Sequence, residues 1–180
     1  MRQALADAND GDTINFDPSV ATVTLTTAEL AITKSITIRA SPQTVTVQRA
    51  SQAEFRIFHV IPGHSVEING LTISGGHIAG DNGGGILNDN STLTIAHCTV
   101  SGNAIVSASS GFNSGGGIHN SGMITLNQVI VNNNNAVFCM CGNGVDSGGG
   151  ISNTGTMIII AGTVQGIWGL TPAVASTIQA

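Results

Sequence analysis

Two aspartates, Asp81 and Asp89, bracket a run of three glycines at Gly83 to Gly85. Paired carboxylates can serve as the acid and the base or nucleophile of a glycoside hydrolase, held about 5 to 5.5 Å apart for retention or about 6.5 to 9.5 Å for inversion. The equivalent positions in the next copy of the repeat described below are Asn113 and Ser121, so the pair is not part of the repeat. Non-repeating polar residues on a repetitive frame are where function is grafted. The competing reading, preferred here, is that both aspartates are solvated turn formers.

Other chemistry has fewer candidates. A polysaccharide lyase would draw its base from Lys34, Arg39, Arg49 or Arg56, and the nearest acids in sequence are Glu29, Glu54 and Glu67. His59, His64, His77, His97 and His119 each default to a surface or turn role; a metal site would need loops to bring His77, Asp81 and His119 together. Cys98 falls in an apolar column and reads as a buried thiol. Cys139 and Cys141 form a Cys-Met-Cys run that could make a small-ring disulfide, bind a soft metal or stay reduced. Three cysteines cannot all pair within one chain, and in an exported protein the loop disulfide is the favoured outcome. Gly142 to Asp146 matches part of a Ca²⁺-binding nonapeptide, but in a single copy where tandem turns are needed. No cofactor is expected.

The elements that must position these residues follow from a repeat. Gly-Gly-Gly-Ile-x-Asn occurs at Gly83 to Asn88, Gly115 to Asn120 and Gly148 to Asn153. Each copy precedes an alternating apolar unit, Leu93 to Asn103, Ile124 to Asn134 and Met157 to Ile167; Val66 to Gly76 is an earlier unit without the glycines. In register the columns read Val66/Leu93/Ile124/Met157, Ile68/Ile95/Leu126/Ile159, Leu71/Cys98/Val129/Gly162 and Ile73/Val100/Val131/Val164. Apolar positions two apart, then three, then two describe strand, bend, strand. Thr22 to Leu25, Ile36 to Ile38 and Val45 to Val47 read as earlier coils.

One such coil cannot bury its apolar face, so coils must stack around a shared core. The fold class expected is all-β: a right-handed parallel β-helix over residues 12–166, capped by a short helix within residues 1–10, with an irregular end at 167–180. Leu5 and Ala8 share one side of that cap. Ala104 to Ser114 and Ala136 to Ser147 read as projecting loops. Asn88, Asn120 and Asn153 should lie above one another at about 4.8 Å and bond as a ladder; a ligand groove is the less favoured reading. The glycine triplets precede strands rather than a helix, so they read as tight turns, not as a phosphate cradle.

Composition supports this frame. Ile, Val and Thr number 21, 14 and 19 of 180 residues, which favours strands and excludes a helical bundle. No apolar run approaches the roughly 20 residues that span a bilayer. The net charge is −5 and no Lys or Arg follows Arg56, which argues against nucleic acid as a partner. Outward threonines at Thr72/Thr99/Thr163 and Thr94/Thr125 suggest an ordered-water face, but Ile130, Glu67 and Ile158 interrupt the rows and argue against ice binding.

Arg2 to Asn9, Asp12 to Phe16, the Gly-Gly-Gly-Ile-x-Asn copies and the Thr99 to Asn103 unit together resemble the β-helix domains of bacterial surface proteins. These include the polymorphic outer membrane protein type and the group that starts with Cys-Ser-Leu-Arg-Glu-Ala. The likeness covers roughly residues 1–166, with Met1 standing where that group has its leading Cys-Ser-Leu. It implies a secreted or surface-displayed scaffold acting in adhesion, binding a glycan or a surface protein, and often part of a longer chain. The first residues lack the apolar stretch of a secretory signal, so a signal, if used, lies outside this sequence. A homo-oligomer through the uncapped end, residues 157–180, is a further expectation. The alternative is a carbohydrate-active enzyme using Asp81 and Asp89.

Overall fold

Short runs of β-branched residues separated by Gly, Asn and Ser favour strands too small to bury an apolar face singly, and stacking resolves this. The computed structural model describes residues 1–106, 113–137 and 148–165, together with the backbones of Ile167–Trp168 and Val174–Ser176. The chain winds into a parallel β-solenoid of about four turns. Three parallel sheets form its walls.

The first sheet carries the strand–bend–strand units. Thr13–Asn15, Thr37–Arg39, Ser65–Asn69 and Thr92–Ala96 stack on one side of the bend, and Thr22–Leu25, Val45–Arg49, Leu71–Ser74 and Thr99–Ser101 on the other. In the later turns Met123–Asn132 and Thr156–Val164 run through both sides. The bend is a single residue in the left-handed region at His97 (φ 52°) and at Gln128 (φ 54°). One such residue turns the chain without breaking the column on either side.

Registry bears out the apolar columns: Val66, Leu93, Ile124 and Met157 are mutual partners, as are Ile73, Val100, Val131 and Val164. Most of these side chains are fully buried. Cys98 lies in its column as expected, accepting from the Leu71 amide at 3.3 Å. Burial raises its thiol pKa to about 11.

The second sheet holds Leu30–Ile32, Phe58–Val60, Ile86–Asn88, Ile118–Asn120, Ile151–Asn153 and Ile167–Trp168. A third, of His77–Ala79, Ala104–Val106 and Asn135–Val137, corrects the expectation that residues 104–114 and 136–147 are loops from their first residue. The cause is backbone pairing: Ala104 and Asn135 each continue the ladder of the turn below. The end expected to be irregular also carries strand, since Ile167–Trp168 pairs with Ile151–Ser152 and Val174–Ser176 with Met157–Ile159.

The capping helix spans Arg2–Asp7, and Leu5 and Ala8 pack on the first turn. Lys34 Nζ donates to the Ala8 and Ala6 carbonyls, which satisfies the helix end that faces it. No described helix is long and apolar enough to cross a membrane.

Candidate functional site

The outer face of the second sheet collects the polar side chains that the repeat does not explain. Phe58 and Val60 point into the core, so His59 between them points out; the same alternation turns Leu87 and His119 outward. Registry stacks these as a column, Ala31, His59, Leu87, His119 and Ser152. Glu29 precedes the first strand of this sheet, Arg56 stands two residues before the second, and Asp89 follows the third. Asp81 lies in the turn that leads from His77–Ala79 toward the glycines.

These residues form a chain of polar contacts. Arg56 Nη2 donates to Asp81 Oδ2, and Arg56 Nε stands 3.0 Å from Glu29 Oε2 in an ion contact without hydrogen-bond angles. Glu29 Oε1 pairs with His59 Nδ1 at 3.1 Å. His59 Nε2 faces Asp89 Oδ2 at 3.9 Å, too far for a hydrogen bond. The sequence thus runs Asp81–Arg56–Glu29–His59–Asp89, with Arg56 only 3% exposed and the terminal carboxylates on the rim, 50% and 37% exposed.

The electrostatics follow from these contacts. The His59 hydrogen bond holds the Glu29 carboxyl below its ordinary value, against the opposing effect of burial, and Arg56 assists. Burial pushes Asp81 up, but the Asn82 amide and Arg56 together outweigh it and leave Asp81 lowered. Burial lowers the pKa of His119 and keeps it neutral near pH 7, with Asp81 and Asp89 opposing and Arg56 assisting. Ser114 Oγ lies 3.2 Å from His119 Nδ1, and the Ser114 amide donates to Asn82 Oδ1 at 2.7 Å.

The two aspartates singled out by sequence therefore reach one cluster, but not as an unencumbered pair: Asp81 is tied to Arg56. The lyase bases are occupied too. Arg49 Nε donates to the Gly75 carbonyl at 2.8 Å and its guanidinium lies over the Phe55 ring; Lys34 caps the helix; Arg39 pairs loosely with Glu67 at 3.7 Å. His77, Asp81 and His119 do not assemble as a metal site, because His77 stands by Glu54 at 3.8 Å while Asp81 and His119 are engaged as above. Among the described residues no group of three or more His, Cys, Asp or Glu side chains could hold a metal ion. Cys139, Cys141 and the Gly142 to Asp146 segment lie outside the described residues.

The asparagine ladder is present. Asn88 Nδ2 donates to Asn120 Oδ1 at 2.5 Å, and Asn120 Nδ2 donates to Asn153 Oδ1 at 2.6 Å, all three side chains being buried. A second, shorter ladder was missed from sequence: Asn103 Nδ2 donates to Asn134 Oδ1 at 3.0 Å, and Asn103 Oδ1 accepts from the Gly76 amide. Its signal was the asparagine that closes each apolar unit. In the first two glycine triplets the amides bond along the stack, Gly84 to the Gly115 carbonyl and Gly117 to that of Gly149, so these amides are turned to the next coil rather than toward a phosphate.

Open polar grooves lie at the corners. One of about 420 Å³ runs beside the bend, lined by Arg39, Gln43, Asn69 and His97, where residues 40–44 overhang the single-residue bends of the next turns. No family model matches the chain, nor does any curated protein or solved structure.

Proposed function

We propose that this β-solenoid is a secreted or surface-displayed binding scaffold, acting in adhesion through a glycan or protein ligand. Its repeats resemble those of the polymorphic outer membrane protein type and the Cys-Ser-Leu-Arg-Glu-Ala group, and that likeness supports the location and the role. The observation that carries the reading is the Asp81–Arg56–Glu29–His59–Asp89 chain on the outer wall. Two of its carboxylates, Glu29 and Asp81, are held ionised rather than kept protonated. Glycoside hydrolysis relies on a carboxyl whose pKa is raised so that it stays protonated. Glu29 and Asp81 are both lowered, and Arg56 binds both. Ionised carboxylates fixed on a rigid wall are suited to accepting hydrogen bonds from a ligand.

The test combines turnover with binding. Purified protein is offered a panel of uronate and neutral polysaccharides, with new reducing ends and unsaturated products as one readout and retention on glycan and protein arrays as the other. The expected result is binding without turnover. Turnover lost in Asp81→Ala or Asp89→Ala would overturn the reading in favour of a carbohydrate-active enzyme.

A further inference from the structure

The floor of the wall cluster is short of hydrogen-bond partners. Arg56 Nη1, His59 Nε2 and Asn113 Nδ2 are all buried and make no hydrogen bond among the described residues. Arg56 and Asn113 are themselves more than nine-tenths buried. Asn113 belongs to the same neighbourhood: it precedes Ser114, whose amide and hydroxyl both bond to Asn82, next to Asp81. Native proteins leave few such groups unpaired, and three around one cluster call for an explanation.

Their chemistry narrows the missing partner. Arg56 Nη1 and Asn113 Nδ2 are donors. His59 Nδ1 pairs with Glu29 Oε1 at 3.1 Å, and in the tautomer that donates there Nε2 is an acceptor. Groups that both accept and donate are hydroxyls, of water or of a ligand, and a sugar carries several of them side by side. A carboxylate ligand would satisfy the two donors but not His59 Nε2. It would also join Glu29, Asp81 and Asp89 against the lone charge of Arg56, and no Lys or Arg lies beyond that residue in the sequence. The ring of a neutral sugar meets both conditions, and half-buried Leu87, stacked between His59 and His119, gives its apolar face a surface to rest on. Asp89 lies at the rim: its Oδ2 stands 3.9 Å from His59 Nε2 and its Oδ1 accepts from the Asn90 side-chain amide at 2.9 Å, so the partly exposed carboxylate is placed to accept from a ligand hydroxyl.

We infer that the outer-wall site takes the vicinal hydroxyls of a neutral sugar, in preference to a uronate, through Arg56, Asn113, His59 and Asp89. This rests on the ligand-binding reading above.

Calorimetric titration of the whole chain with neutral hexasaccharides of glucose, mannose, galactose and xylose, and with hexagalacturonate, tests the inference. At least one neutral hexasaccharide is expected to bind at least about tenfold tighter than hexagalacturonate. Asp89→Ala should weaken that binding about tenfold, the effect of losing one good hydrogen bond. Its circular dichroism and melting should stay native, and Thr99→Ala on the first sheet should bind normally. Tighter binding of hexagalacturonate, or neutral binding untouched by Asp89→Ala, overturns the neutral-sugar site and leaves the scaffold reading standing. No oligosaccharide bound by natively folded protein overturns the sugar site as well, and array retention of a protein ligand would then uphold the scaffold on its own; silence on both arrays removes the two together.

Discussion

Asn120 stands one rung above Asn88 and donates nothing to it: its Oδ1 accepts from Asn88 Nδ2, while its own Nδ2 is spent on Asn153 Oδ1 and on the Gly122 and Thr156 carbonyls. The ladder is therefore directional, and its middle member holds bonds on both sides.

Asn120→Ala should cost about 2 to 4 kcal/mol, since it deletes those bonds and leaves Asn153 Oδ1 without its donor in a buried column, while Asn88 Nδ2 keeps the Ser91 and Met123 carbonyls. Asn153→Ala breaks only one rung of the ladder among the described residues and should cost about half as much. Urea unfolding of the two variants side by side checks the order, and an equal or reversed cost would show that the ladder does not act as a chain.

Glycine is needed in the triplets for two separable reasons. Gly115 has φ +77°, whereas Gly116 has its Cα pressed against the next turns, so an added Cβ would meet the carbonyls of Asn135 and Gly149. Gly116→Ala should destabilise by more than 3 kcal/mol because backbone must shift. Gly63→Ala, also at positive φ but facing open space, should cost only about 1 kcal/mol. Thermal melts of both variants separate crowding from strain.

Acid should unfold the protein in two stages. His119 is held neutral by burial, so on unfolding it gains a proton below its ordinary value near 6.5; stability starts to fall as pH drops through that value. Glu29 and Asp81 have lowered folded pKa values, so their contribution is complete above their ordinary values of 4.5 and 3.8 and is lost as pH falls through the folded ones. Urea midpoints between pH 8 and pH 3 should show a shallow loss and then a steeper one, and His119→Leu should remove the first. A midpoint that rises on acidification contradicts this scheme.

Cys98, with its thiol pushed up to about 11, is expected to be inert in the folded state. In a Cys139→Ser, Cys141→Ser background, a thiol reagent at pH 8 should label no cysteine in native protein and one in guanidinium. Rapid native labelling would place Cys98 outside the core.

What the sequence discloses stops where the repeat loses its markers. From Leu93 onward the columns are legible because Gly-Gly-Gly-Ile-x-Asn fixes the register, and the Val66 to Gly76 unit is read by alignment to them. The earlier strands of the second sheet, Leu30–Ile32 and Phe58–Val60, carry no glycines, and Ile32 and Val60 occupy the place that Asn88 takes above. The third sheet is obscured because its strands are three residues long and their types do not repeat, Ala-Ile-Val at Ala104–Val106 against Asn-Ala-Val at Asn135–Val137, although backbone pairing needs no such repeat. The wall cluster joins residues about one turn apart, such as Arg56 and Asp81. Their meeting depends on turn length, which only registry supplies.

Leu30, Phe58, Ile86, Ile118 and Ile151 share one column, so successive turns measure 28, 28, 32 and 33 residues while the column stays continuous. In sequence, the added residues of the longer turns fall between Ala104–Val106 and the glycines that start at Gly115, and between Asn135–Val137 and those that start at Gly148. This interval works as a cloning site written into the sequence. Foreign peptides of different lengths can be spliced there and displayed side by side at a fixed pitch of about 4.8 Å, with no partner strand asked to change its register.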